Sequence, residues 1–267
     1  VRANEGTQDI DNANLSLGIV NIEENPTAIP PYVTPPGIQR EALQSSVGLQ
    51  RKNEASMVLN LADLATQDAR AIFKNTTLDL RRYKKLKMFT HVHAGENGTQ
   101  PNNNLKLFIR LGSDLVENYY EYEIPLEYSP ITANSPTSIW PESNSIDIDT
   151  EIFKALKKEY ISLALNERFG KEAIAGSGKY VYIKGKPSLG SVSSLMIGVR
   201  NTGSFNVKNA IVWINELRLA EIDNEGGYAG KATLNMNLSD LAQITATGNI
   251  STSGFGAIDR RPVERQQ

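Results

Sequence analysis

The chain has 267 residues, a formal charge of −2 and 40% hydrophobic residues, which suits one large domain or one domain with appendages. Balanced charge gives no general attraction to nucleic acid or to anionic lipid. The absence of Cys excludes disulfides, zinc–thiolate sites and a thiol nucleophile, and leaves the compartment open. Val1 to Asn25 lacks the apolar core of a signal peptide, and no apolar run approaches the ~18 residues of a membrane helix. The piece reads as excised from a longer chain.

Residues 1–55 form the first part. Leu15 to Ile22 is a short possible strand; Ile10 lies ahead of it. Pro26, Pro30, Pro31, Pro35 and Pro36 then remove amide donors and fix φ, so an extended arm is expected, not a central strand or helix. Tyr32 and Val33, between the Pro pairs, are its anchors if it docks; a plain linker is the alternative.

Residues 56–222 change texture. Met57, Leu59 and Leu61 alternate, and Arg70 to Lys74 gives another strand. Between Lys84 and Ala94, Leu86, Met88, Thr90 and Val92 face one way. Lys85, Lys87, Phe89, His91 and His93 face the other. Gly95 to Asn104 is a turn-rich loop. Leu105, Leu107, Ile109 and Leu111 alternate with Lys106, Phe108 and Arg110. Asn118 to Leu126 is a third long strand, with Tyr120, Tyr122 and Ile124 on one side. Such spacing predicts an antiparallel sandwich.

One helix interrupts the strands, capped by Asp149 or Thr150, with Ile152, Phe153, Leu156, Tyr160 and Leu163 at helical spacing and Gly170 as its stop. It is expected to pack on the sandwich as a lid or plug. Tyr180 to Ile183 is again a strand. Leu195, Ile197 and Val199 alternate. Ala210 to Leu219 then places Ile211 and Trp213 on one side and Val212 and Ile214 on the other. A strand apolar on both faces needs cover above and below, so it should lie centrally. This run also resembles the closing strand of jelly-roll carbohydrate-binding modules.

Residues 223–267 differ again. Asp223 to Gly227 is a turn. In Tyr228 to Leu238 and Leu241 to Thr252, small or apolar residues alternate with Lys, Thr, Asn and Ser. Such segments suit barrel strands with one lipid face and one wet face; the periodicity equally fits an edge hairpin of a soluble sheet.

No motif marks a reaction. His91 and His93 are the only histidines, and on a strand both imidazoles could reach one metal. No third ligand is marked, so a packed or solvated face is expected and no metal is assigned. No Gly-x-Ser-x-Gly elbow supports a serine triad. Gly176-Ser-Gly-Lys lacks P-loop spacing and reads as a turn. Asp147 and Asp149 fit helix capping better than calcium. Carboxylate pairs for glycoside hydrolysis cannot be picked out. One possible ligand or partner face remains: Lys87, Phe89, His91 and His93, joined by Phe108 and Arg110 of the next long strand. A sugar or a protein could dock there, unless the helix or the Pro-rich arm covers it.

Taken in order, PPYVTPPGIQRE (Pro30 to Glu41), LRRYKKLKMFTHVHA (Leu80 to Ala94), LFIRLGSDLVENYYEYEIPL (Leu107 to Leu126), VYIKGKPSLGSVSSLMIGVRN (Val181 to Asn201), WINELRL (Trp213 to Leu219) and STSGFGAID (Ser251 to Asp259) resemble the SprA (Sov) family. These are the giant outer-membrane translocons of type IX secretion and gliding motility in Bacteroidetes. The resemblance implies an internal fragment of a very long chain and a non-catalytic, structural role in protein export. It implies other type IX secretion subunits and exported cargo as partners, and the cell outer membrane through the parent chain. Nucleic acid is not among the implied partners. The sandwich would sit in the extracellular or periplasmic aqueous part, and Tyr228 to Ser253 would be barrel strands. No active-site residue or cofactor carries over. The expected fold is mainly β: a jelly-roll-like antiparallel β-sandwich with one amphipathic helix, a Pro-rich N-terminal arm and a C-terminal β-hairpin. A carbohydrate-binding module, with its glycan on the sheet face, is the competing function.

Overall fold

The computed structural model describes residues 14–45, 48–96, 98, 104–222, 228–238 and 242–252. Ile10, the Asp223–Gly227 turn and much of the Gly95–Asn104 loop lie outside the described residues. In chain order the strands are β1 (Leu15–Asn21), β2 (Ala42–Ser45), β3 (Gly48–Arg51), β4 (Ala55–Leu64), β5 (Ala69–Leu78), β6 (Tyr83–Ala94), β7 (Leu105–Gly112) and β8 (Tyr119–Pro125). A short helix α1 (Pro136–Ile139), β9 (Ile146–Asp149) and the main helix α2 (Glu151–Ser162) follow. Then come β10 (Phe169–Glu172), β11 (Tyr180–Lys184), β12 (Val192–Asn201), β13 (Val207–Ile222), β14 (Ala229–Leu238) and β15 (Ala242–Ser251). Two compact units divide at Glu221/Ile222.

The first unit is a mainly β sandwich. One sheet runs β1-β4-β13-β6-β9 and the other β10-β11-β8-β7-β12-β5. Within them, β4-β13-β6-β9 facing β5-β12-β7-β8 is the interleave of two Greek keys that makes a jelly roll. β1 widens the first sheet; β11 and β10 widen the second. β13 lies at the middle of its sheet, as its two-sided apolar run requires.

The core follows from the alternation. Leu59 and Leu61 of β4, Leu86, Met88 and Val92 of β6, and Ala210, Val212 and Ile214 of β13 point inward. They meet Leu107, Ile109 and Leu111 of β7, Tyr120, Tyr122 and Ile124 of β8, and Ile197 and Val199 of β12. Each such side chain contributes roughly 1.5–3 kcal/mol by leaving water. Helix α2 adds Phe153, Leu156 and Tyr160 to the same core, with the Phe153 ring 5.2 Å from that of Tyr120.

Asp149 starts α2: its Oδ1 accepts from the Glu151 amide at 2.9 Å. Thr150 instead donates its hydroxyl to the Tyr83 carbonyl, tying the helix to β6. The helix stops at Ser162, well before Gly170. Ala164 takes φ 51°, its amide bonds to the Ile161 carbonyl, and the Leu165 amide bonds to that of Tyr160. That is a Schellman closure made without glycine. Gly170 lies in β10, where any Cβ would strike the Tyr182 ring.

Candidate functional site

The outward face of the β4-β13-β6 sheet carries four of the six residues of the expected docking face, three of them under cover. Trp213, Ile211 and Phe89 rise from β13 and β6 beneath Tyr32 and Val33 of the Pro-rich arm and Ala133, Ile139 and Trp140 of the β8–β9 connection. Trp213 is 4% exposed and Tyr32 1%. Their ring centroids are 5.7 Å apart, and Trp140 lies about equally near both. The Trp140 indole donates to the Val33 carbonyl at 2.7 Å, pinning one covering segment to the other. Tyr32 donates its hydroxyl to Glu54 (2.9 Å) beside Ser56, and the Asn215 amide donates to both Tyr32 and Glu54. Burial raises the Tyr32 hydroxyl well above the usual phenol range. The arm is thus docked through the anchors its sequence marks; α2 takes no part in this cover.

His91 and His93 lie within this layer, 0% and 7% exposed. His91 Nδ1 donates to the Ile139 carbonyl at 2.6 Å, leaving Nε2 to accept from His93 Nδ1 at 2.9 Å. Both nitrogens of His91 are therefore spent on hydrogen bonds, not held open for a ligand. The His91 ring sits 4.3 Å from that of Trp213. Burial, with His93 beside it, lowers the His91 pKa to about 3, and burial lowers that of His93 to about 4. Lys87 stands at the rim, paired with Asp147, which also pairs with Lys85. Those contacts occupy the Asp147 carboxylate, which caps no helix among the described residues.

Phe108 and Arg110 do not join this face. They project from the outward side of the opposite sheet. Alternation along a strand fixes which residues share a side; it does not fix which sheet the strand enters. There Phe108 packs with Ala69, Ala71, Leu115 and Met196. Arg110, 1% exposed, donates to Glu121 at 2.7 Å and to the Leu115 carbonyl at 2.6 Å. Arg168 and Arg200 reach the other Glu121 oxygen, and Arg200 with Lys106 also holds Glu123. Burial alone would raise the Glu121 carboxyl; the three guanidiniums outweigh it and hold the pKa at about 2. The six residues of the expected face are thus split between two sheets. The aromatic ones among them are buried or half-buried, which leaves a glycan no open platform built from them.

Gly176 and Gly178, the glycines of the phosphate-loop-like stretch, take φ 74° and 68°. Their amides already bind the Glu172 carboxylate at 3.0 and 2.8 Å. Sequence reasoning missed Trp140. It is one of two tryptophans but sits in a stretch without periodicity, so only its rarity could have marked it.

The second unit contains the β14–β15 hairpin. Its register pairs Gly230 with Ile250, Ala232 with Gly248, Leu234 with Ala246 and Met236 with Ile244. The intervening pairs are Lys231 with Asn249, Thr233 with Thr247 and Asn235 with Thr245. From Gly230 to Leu238 one side is therefore small or apolar and the other polar. Leu234 and Ile250 are 56% and 67% exposed. Among the described residues each strand pairs only with the other, so both outer edges keep unpaired backbone groups.

A family model described as a motility related/secretion protein matches residues 3–267. No curated protein matches the chain.

Proposed function

The chain therefore belongs to the SprA N-terminal family of motility related/secretion proteins, and we propose that it is a non-catalytic structural segment of an outer-membrane translocon for type IX secretion and gliding motility. The carrying observation is the hairpin. Its strands are ten residues each, roughly 34 Å at ~3.4 Å per residue, enough for a tilted crossing of hydrocarbon. From Gly230 to Leu238 apolar or small residues pair with apolar or small ones and polar with polar; Ala229 opposite Ser251 is the one mixed pair, at the hairpin's open end. That is the pattern of a barrel strand pair with lipid on one side and a wet lumen on the other. Hydrocarbon makes every backbone bond obligatory, so neighbouring strands of the same barrel would fill the two open edges.

On this reading the jelly roll is a rigid folded body in an aqueous part of the translocon. It acts through its surfaces on exported cargo and on other secretion subunits, and contributes no reaction. Charge placement in living cells tests the proposal. Leu234→Lys puts an ammonium on the lipid side, at a cost of about 2–4 kcal/mol near the midplane, and should abolish assembly and secretion. Thr233→Lys, one residue away on the lumen side, should leave both intact. Equal tolerance of the two substitutions would remove the hairpin from the membrane.

A further inference from the structure

A slot on the sandwich, remote in sequence from the hairpin, has the chemistry of a ligand site. Helix α2 lines one wall with Lys154, Lys157, Lys158 and Ile161. These positions are spaced i, i+3, i+4 and i+7, so they form one stripe of the helix, flanking the buried Phe153, Leu156 and Tyr160. Arg81, from the turn before β6, also borders the slot. The floor is apolar: the buried Tyr120 ring, Leu189 and the backbone of Ser188 and Gly190. Beside it Ile161 is 64% exposed.

The walls are fixed before any ligand arrives. The Leu80 amide donates to the Leu189 carbonyl at 2.8 Å, and Lys157 Nζ donates to the Pro187 carbonyl at 2.7 Å. Gly190 has no side chain where the Arg81 guanidinium lies; a Cβ there would come within 2.5 Å of Nε.

The charges around the slot do not balance. Asp79 holds Arg81 by two hydrogen bonds, and Glu151 holds Lys154. Lys157 has only a neutral carbonyl, and Lys158 has no ionic or hydrogen-bonded partner among the described residues. Lys157 and Lys158 both border the slot, and two lysines at the edge of an apolar floor suit a concentrated anion carried on an apolar body. A planar carboxylate would favour the fork of an arginine, and that of Arg81 is already taken by Asp79. We propose that this slot binds the phosphate headgroup of an anionic phospholipid on Lys157 and Lys158, with the first part of its acyl chains on Ile161, Leu189 and Tyr120.

The test titrates the whole chain with monomeric, short-chain phosphatidic acid by calorimetry. Phosphatidylcholine of the same chain length, inorganic phosphate and poly-glutamate serve as comparison probes. Phosphatidic acid alone should bind well. The K157A/K158A double variant should lose roughly fivefold per lysine and about 25-fold in all, the equivalent of ~1 kcal/mol per basic side chain. Ile161→Ser should weaken binding by a factor that high salt does not change, whereas the loss in the lysine variant should shrink with salt. These side chains are exposed or half-buried, so an unchanged melt will show that the variants remain folded. Equal binding of phosphatidylcholine or of inorganic phosphate, tighter binding of poly-glutamate, or full affinity in the double variant would each overturn the assignment.

Discussion

Lowering the pH from about 7.5 to about 5 should cost the sandwich roughly 4 kcal/mol, through His91 and His93 alone. In the unfolded chain each imidazole titrates near 6.5. In the folded chain burial lowers them to about 3 and about 4. Folded values below unfolded ones mean that the stability is fully present above pH ~6.5 and is lost as pH falls toward the folded values. At about pH 5 each unfolded histidine gains roughly 2 kcal/mol from protonation that the folded one cannot take, and two make roughly 4. Against a typical total of ~5–15 kcal/mol, that is a large share. Glu121, held at about 2, adds nothing in this window, because its unfolded value lies near 4.3. Urea unfolding followed by tryptophan fluorescence is the assay, since Trp213 and Trp140 both lie beside His91. His93→Asn should halve the drop whatever its effect on absolute stability. A flat stability between these pH values, or an undiminished drop in His93→Asn, would refute the reasoning.

Trp213→Ala should cost about 3–5 kcal/mol by thermal or urea melting, because the ring is buried among Tyr32, Trp140 and His91 with little means of collapse. Glu121→Gln should cost about 3–5 kcal/mol, since it leaves Arg110 buried and unpaired. In the parent sequence the stability held by Glu121 should be lost only as pH falls from about 4.3 toward 2, below the histidine window. Limited proteolysis should spare the arm from Leu15 to Ile38, because β1 pairs along β4 and Tyr32 is buried. Early cleavage between Pro26 and Pro36 would show that the arm does not dock.

The sequence made the sandwich legible where alternation was long. β6 showed both its faces, and the double-sided run around Trp213 announced a central strand. Tyr32 and Val33 stood out as the apolar residues between the Pro30–Pro31 and Pro35–Pro36 pairs. Short elements carried no such signal: α1 and β9 have four residues each, less than the period needed to read them. The end of α2 was invisible because Ala164 occupies the left-handed position where glycine would have marked the stop. The grouping of Phe108 and Arg110 with His91 failed for a topological reason. β6 and β7 are consecutive but enter opposite sheets, a long-range choice that local pattern does not encode. The Glu121–arginine cluster was hidden for the same reason, its members coming from β7, β8, β12 and the segment before β10.

The central claim is that β14 and β15 are barrel strands. These 267 residues hold no cysteine, so single cysteines placed in turn along Lys231 to Asn235 and Thr245 to Asn249, read against the unsubstituted protein, report their own positions. In intact cells carrying the assembled protein, a membrane-impermeant maleimide should label positions 231, 233, 235, 245, 247 and 249, which face water in the lumen. Positions 232, 234, 246 and 248 should stay unlabelled until detergent strips the lipid. Uniform labelling at every position before detergent would place the hairpin in water on both sides and contradict the account.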